Sequence, residues 1–139
     1  MKEAIQIRWL NGLSFEADVD GHKLYLDAKA ENGGKNMGPR PKQLLMVSLA
    51  GCTGMDVASI LQKMKEEVEE IVVEVEGDLA EEHPKKYESL KVIFRIRGKN
   101  ISRKNVEKAV ELSTTKYCGV SATLEKAVSL SHEIIIEES

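Results

Sequence analysis

Apolar and polar positions alternate through the first thirty residues: Ile5, Ile7 and Trp9, then Leu13, Phe15, Ala17 and Val19, then Leu24 and Leu26. A period of two turns one face of each run inward and predicts three strands. Asn11-Gly12 and Asp20-Gly21 separate the runs. Both dipeptides favour the positive φ angles of tight hairpin turns, so the strands are expected to form an antiparallel meander. From Glu31 to Pro41 the chain reads ENGGKNMGPRP, where glycines and prolines erase any period and predict a loop or a poorly ordered segment. Pro41 suits the first turn of a helix. From Leu44 to Met64 apolar residues fall on nearly every side, as in a helix enclosed by other elements, and charge from Glu66 to Glu70 closes it. About 24 residues at 1.5 Å each make a rod of about 36 Å, long for a lone domain of this size, so a second subunit is expected to cover part of it.

The period of two returns at Ile71, Val73 and Val75 up to Gly77, and at Leu90, Val92, Phe94 and Ile96 up to Gly98, predicting a second strand pair. Ser102 is placed to cap a second helix in which Val106, Ala109, Val110, Ser113 and Tyr117 share one stripe. Cys118-Gly119 falls at its end. A short turn through Ser121 to Glu125 then leads to a last strand carrying Val128, Leu130 and Ile134-Ile135-Ile136. The expected fold class is α+β in the order βββ-α-ββ-α-β, with residues 1–139 forming a single domain.

Composition narrows the partners. The chain of 139 residues holds 20 Lys and Arg against 23 Asp and Glu, with the signs interspersed, so no broad basic field invites nucleic acid or an anionic membrane surface. Lys2, Glu3 and Arg8 interrupt the first ten residues, which lack the apolar stretch of a secretory signal, and a cytoplasmic location is expected. Polar residues also break the Leu44–Met64 run, which reads as a buried helix rather than a membrane span.

Two cysteines, Cys52 and Cys118, are too few and too far apart for a zinc ribbon or a disulfide scaffold, and leave open a reactive thiol pair. Cys52 lies eleven residues after Pro41, beyond the turn where a helix dipole acts strongly. Asp56, one turn later on the same face, would raise its pKa unless a cation intervened, and Lys35, Arg40 and Lys42 are the nearest cations in sequence. Free cysteine also serves simply as a small core residue. Cys118, at a helix-terminal turn, is expected to be the more accessible of the two. His22, His83 and His132 share no ligand spacing, so no metal or other cofactor is expected. Gly33-Gly34-Lys35-Asn36 has the glycine and lysine of a phosphate loop without its leading glycine or its Ser/Thr. The pairs Glu66-Glu67, Glu69-Glu70 and Glu81-Glu82 read as solvated surface.

Two segments, PKQLLMVSLAGC at 41–52 and YCGVSATLEKAVSLSHEIII at 117–136, resemble the OsmC/Ohr family of osmotically induced and organic-hydroperoxide-resistance proteins. The likeness covers nearly the whole chain and keeps the spacing from proline to cysteine. It implies an intertwined homodimer in which long central helices pack under antiparallel sheets. It also implies reduction of organic hydroperoxides, with Cys52 as the peroxidatic and Cys118 as the resolving cysteine, and a dithiol as reductant. The family adds an arginine from the loop and a glutamate just after the proline. Here Lys42 stands at the glutamate position, Gln43 follows, and Asn32 falls near the usual arginine position. Arg40 is the substitute candidate for the thiolate's partner. The resemblance supports two readings: a thiol-dependent peroxidase, or a non-enzymatic OsmC-like protein that binds an apolar small molecule at the dimer interface.

Overall fold

A computed structural model describes all residues from Met1 to Ser139. The chain gathers into two compact units, Met1–Leu45 and Met46–Ser139. In the first, β1 (Gln6–Asn11), β2 (Ser14–Val19) and β3 (His22–Leu26) form the expected antiparallel meander. Gly12, Asp20 and Gly21 all adopt positive φ at the two turns. Pairing of Ile7 with Ala17, Trp9 with Phe15, Phe15 with Leu26 and Ala17 with Leu24 collects the apolar side chains on one face. The opposite face is a charge ladder, with Arg8 bonded to Glu16 at 2.9 Å and Lys23 to Asp18 at 3.0 Å. In the single chain Trp9 stays 61% and Ile7 53% exposed.

The loop after β3 is ordered, and one buried carboxylate is the reason. Asp27 accepts the backbone N–H groups of Ala28, Lys35 and Met37 at 2.7, 3.1 and 3.2 Å. Burial pushes this carboxyl up, but the three donors prevail and hold it below the usual aspartate value. Gly34 is required there, since a Cβ would lie 2.0 Å from the Ala28 carbonyl oxygen. The Gly33–Asn36 segment therefore commits its N–H groups internally: Gly34 to Lys29, Lys35 to Asp27 and Asn36 to Ala28. None is left to form a phosphate cradle.

The second unit is a sheet with helices on one face. Helix α1 (Pro41–Lys63) ends where Lys65 takes φ +61, so the chain reverses before Glu67. The glutamates from Glu67 onward therefore begin a strand rather than close the helix. Strands β4 (Glu67–Leu79) and β5 (Tyr87–Lys99) pair antiparallel, and β6 (Ser129–Glu138) adds parallel to β5. A register shift between Val68 and Glu70 inserts one residue, which lets Val68 and Ile71 both join the packed core. The outer face carries ion pairs: Lys91–Glu133 at 2.8 Å, Arg95–Glu74, and Arg97 with Glu69 at 2.8 Å.

Helix α2 (Arg103–Leu112) is capped by Ser102, whose Oγ accepts the Asn105 N–H at 3.2 Å. Glu66 adds a second tie, accepting from Ser102 N at 2.9 Å and Asn105 Nδ2 at 2.8 Å. It is a structural acceptor rather than solvated surface. After α2 the chain makes a π turn over Ser113–Tyr117 and then a third helix, α3 (Gly119–Leu124), where the sequence suggests only a short turn. The observed α+β order is βββ-α-ββ-α-α-β. The wide turn also rotates the helical phase, so Tyr117 leaves the apolar stripe and is 54% exposed.

Phe94, Val92 and Ile96 of β5 meet Leu49, Val57 and Leu61 of α1 and Val106, Ala109 and Val110 of α2 in one core. Gly54 permits the close approach of α1 to β4, since a Cβ there would lie 3.2 Å from Val73 Cγ2. Only one stripe of α1 is buried in the single chain, Leu49, Thr53, Val57 and Leu61, while Val47 and Met55 are exposed. Phe94 is fully buried at the centre of the core. Phe94→Ala is expected to lower the unfolding free energy by about 3–5 kcal/mol, read from denaturant titration followed by circular dichroism.

Candidate functional site

The second unit brings the two cysteines together. Both are free thiols, and the Cys52 sulfur, the Cys118 sulfur and an Asp56 carboxylate oxygen all lie within 4.8 Å of one another. Two features of the chain create this. The stripe Leu49, Thr53, Val57, Leu61 faces the core. Cys52 and Asp56 each precede a stripe residue by one position, so both sit about 100° around the helix, one turn apart on one flank. The π turn supplies the rest: Cys118 N–H bonds the Ser113 carbonyl at 2.8 Å, which closes the wide turn and seats Cys118 at the start of α3.

Cys118 is buried, with 4% of its surface exposed. This reverses the expectation that it would be the more accessible thiol. Its sulfur takes the place of an N-cap oxygen, accepting the Ser121 N–H at 3.2 Å. Cys52, the half-buried member, receives the Val120 N–H. Successive N–H groups of α3 thus serve both sulfurs. Ser113, fully buried at the start of the π turn, donates its hydroxyl to Asp56 Oδ2 at 2.8 Å and orients the carboxylate.

The Cys52 thiol is pushed above the usual cysteine value. Burial is the main cause, followed by its hydrogen bond with Cys118 and the charges of Cys118 and Asp56; the Val120 N–H acts in the other direction. The carboxylate effect was legible from the i to i+4 spacing. Ser113, Val120 and Ser121 were not flagged by the sequence. Only Ser113 left a signal, a hydroxyl in an otherwise apolar stripe. A cavity of about 310 Å³ is lined by Leu49, Thr53, Val92, Ser121, Leu130 and His132 among others, and neither cysteine is part of its lining.

Arg40 belongs to the first unit. Its Nη1 donates to the Gly38 carbonyl at 2.7 Å, its other terminal nitrogen donates to Asn36 Oδ1, and its buried Nε has no hydrogen-bond partner. Gln43 reaches back to accept the Arg40 N–H at 3.1 Å, one half of a capping box at the start of α1.

A family model described as OsmC-like protein matches residues 33–133. The chain is 33% identical over 128 residues to Protein YhfA of Escherichia coli strain K12, covering 91% of this chain and 92% of that one. Among solved structures it superposes on a hypothetical protein from Aquifex aeolicus VF5 with TM-score 0.87 at 27% identity, over 100% of this chain and 98% of that chain. It superposes on an organic hydroperoxide resistance protein OsmC from Legionella pneumophila with TM-score 0.66 at 19% identity, over 96% and 97% of the two chains. The last likeness speaks for the fold.

Because the Cys52 thiolate is disfavoured, its alkylation by iodoacetamide is expected to keep rising with pH past about 8.5, where a free cysteine is half ionised. Asp56→Asn removes the neighbouring negative charge. It is expected to shift that profile toward lower pH and speed the reaction at neutral pH several-fold, measured by mass spectrometry of the labelled residue.

Proposed function

The chain belongs to the OsmC-like protein family, and from that premise we propose that it is a thiol-dependent peroxidase reducing organic hydroperoxides through Cys52 and Cys118. The observation that carries this reading is the pair of free thiols within 4.8 Å, one half-buried and one held by a helix start. The name of the Legionella relative, an organic hydroperoxide resistance protein, agrees with the substrate class.

In the proposed cycle the half-buried Cys52 is peroxidatic. Its thiolate attacks the terminal oxygen of ROOH, the O–O bond breaks, and the alkoxide takes a proton to leave as ROH. Cys52 is then a sulfenic acid. The Cys118 thiolate attacks that sulfur, hydroxide leaves and is protonated to water, and a disulfide forms. A dithiol supplies two electrons and two protons to restore both thiols. The Val120 N–H favours the Cys52 sulfur as an anion, and the Ser121 N–H holds the Cys118 sulfur in place at 3.2 Å. Arg40 is the cation proposed for the thiolate, because a guanidinium from the loop before the helix suits pairing with a thiolate. A cytoplasmic setting, which keeps such thiols reduced between turnovers, belongs to the same proposal.

A second reading, binding of a small molecule without turnover, is favoured by the upward displacement of the Cys52 thiol and by Lys42 in the family's glutamate position. The cavity lined by Leu49, Thr53, Val92 and Leu130 would be its seat. The two readings separate in one assay of cumene hydroperoxide consumption with a dithiol. The peroxidase reading expects turnover that Cys52→Ser abolishes, a trapped sulfenic acid in Cys118→Ser, and a loss of about tenfold or more in Arg40→Ala. Equal consumption by the native chain and Cys52→Ser would refute it, and ligand-dependent thermal stabilisation without consumption would establish the second.

A homodimer is proposed as well. Each unit leaves apolar side chains open to solvent, among them Ile7, Trp9 and Leu24 in the first and Val47 and Met55 in the second. The helix Pro41–Lys63 is long and apolar enough to cross a membrane, and we assign its exposed face to a second copy of the chain. Sedimentation equilibrium is expected to give twice the chain mass of 15.5 kDa, and a monomer at micromolar concentration would contradict the assignment.

A further inference from the structure

We propose that Cys52, Cys118 and Asp56 form a binding site for a thiophilic divalent cation, zinc above all. This goes beyond the peroxidase reading and does not need it. The donor atoms of the three side chains lie within 4.8 Å of one another. A tetrahedral zinc with bonds of about 2.3 Å to sulfur and about 2.0–2.2 Å to oxygen holds its donors roughly 3.5–3.8 Å apart. Side-chain rotations that draw the donors together by about an ångström close the site.

The scaffold suits a metal. Cys52 and Asp56 project from one face of α1 at i and i+4, the spacing that helices use to present two ligands to one ion. Cys118 comes from a separate element, fixed by the π turn and its place at the start of α3. Each donor already has an outer partner. Ser113 Oγ donates to Asp56 Oδ2 at 2.8 Å and leaves the other carboxylate oxygen for the ion. The Ser121 N–H meets the Cys118 sulfur at 3.2 Å, and the Val120 N–H meets Cys52. Such outer partners orient ligands and tune the metal in thiolate sites.

Charge and softness agree. Two thiolates and one carboxylate sum to three negative charges, and the charges acting on Cys52 are those of Cys118 and Asp56. A dication brings the cluster to a single negative charge; on binding, the two thiol protons pass to solvent and no electrons move. Two sulfurs with one carboxylate select zinc over magnesium or calcium. Three protein donors leave a fourth position for water, and half-buried Cys52 gives a route for entry.

The test is titration of the reduced native chain, without oxygen or peroxide, with zinc against a chromophoric chelator and with cobalt followed by absorbance. One ion per chain, a sulfur-to-cobalt charge-transfer band and the intense visible bands of a four-coordinate ion are expected. Cys52→Ser and Cys118→Ser should each weaken zinc at least about 100-fold, and Asp56→Asn about tenfold. Protection of both native thiols from iodoacetamide by zinc, reversed by chelator, gives a reading that needs no variant. Binding below one ion per chain, affinity unchanged in either serine variant or in Asp56→Asn, or thiols left unprotected would each overturn the site. Because peroxide is absent throughout, these outcomes are independent of the peroxidase assay. If both readings hold, bound zinc blocks hydroperoxide turnover and chelator restores it.

Discussion

Four side chains of α1, Leu49, Thr53, Val57 and Leu61, lie against a sheet face centred on Phe94, and the rotational setting of that helix governs the placement of the thiols in the second unit. Each helical residue advances the direction of its side chain by about 100°. With the stripe inward, Cys52 and Asp56 must share a flank, and a shift of one residue would send them elsewhere. Thr53 keeps its hydroxyl satisfied by donating to the Leu49 carbonyl at 2.8 Å, so a polar residue sits in the stripe without an unmet bond. Gly54 lets the helix settle close to β4, with only Val73 in its way. The apolar packing is thus also the positioning device for the thiols.

Carboxylate acceptors do comparable work in both units, Asp27 buried and Glu66 half-buried. Asp27 gathers three N–H groups and holds a glycine-rich loop in one shape. Glu66 fixes the start of α2 by accepting from Ser102 and Asn105. Donors left unpaired in such places would cost about 1–3 kcal/mol each, so these carboxylates hold segments whose composition alone suggests looseness. The same pattern appears at the thiols, where the first turn of α3 gives one N–H to each sulfur.

The chemistry of the cluster is a contest between charges. Burial, then Cys118, then Asp56 disfavour a thiolate on Cys52, and the N–H from Val120 favours it. A peroxidatic cysteine needs a cation such as a guanidinium to win that contest. The proposed hydroperoxide cycle and the proposed zinc site would both draw on this cluster, and they ask for opposite things. Turnover needs free, mobile sulfurs that meet each other, whereas an ion holds them apart. One site with these two uses would couple metal occupancy to redox activity by simple competition.

The sequence alone determined the alternation of the strands, the glycine turns of the meander, the long helix after Pro41, the Ser102 cap and the i to i+4 relation of Cys52 to Asp56. These are local matters, decided by periods of two and 3.6 and by residues that tolerate special backbone angles. The resemblance at 41–52 and 117–136 added the pairing of cysteines that local rules could not reach. Tertiary structure decided the rest. A π turn has no composition of its own, so neither the burial of Cys118 nor the exposure of Tyr117 was visible in advance. A strand that starts within a run of glutamates, a third helix in place of a turn, and the partners of Asp27 and Glu66 all depend on which backbone groups lie near in space. Sequence spacing cannot supply that proximity across 66 residues, and it is what turns two isolated cysteines into one site.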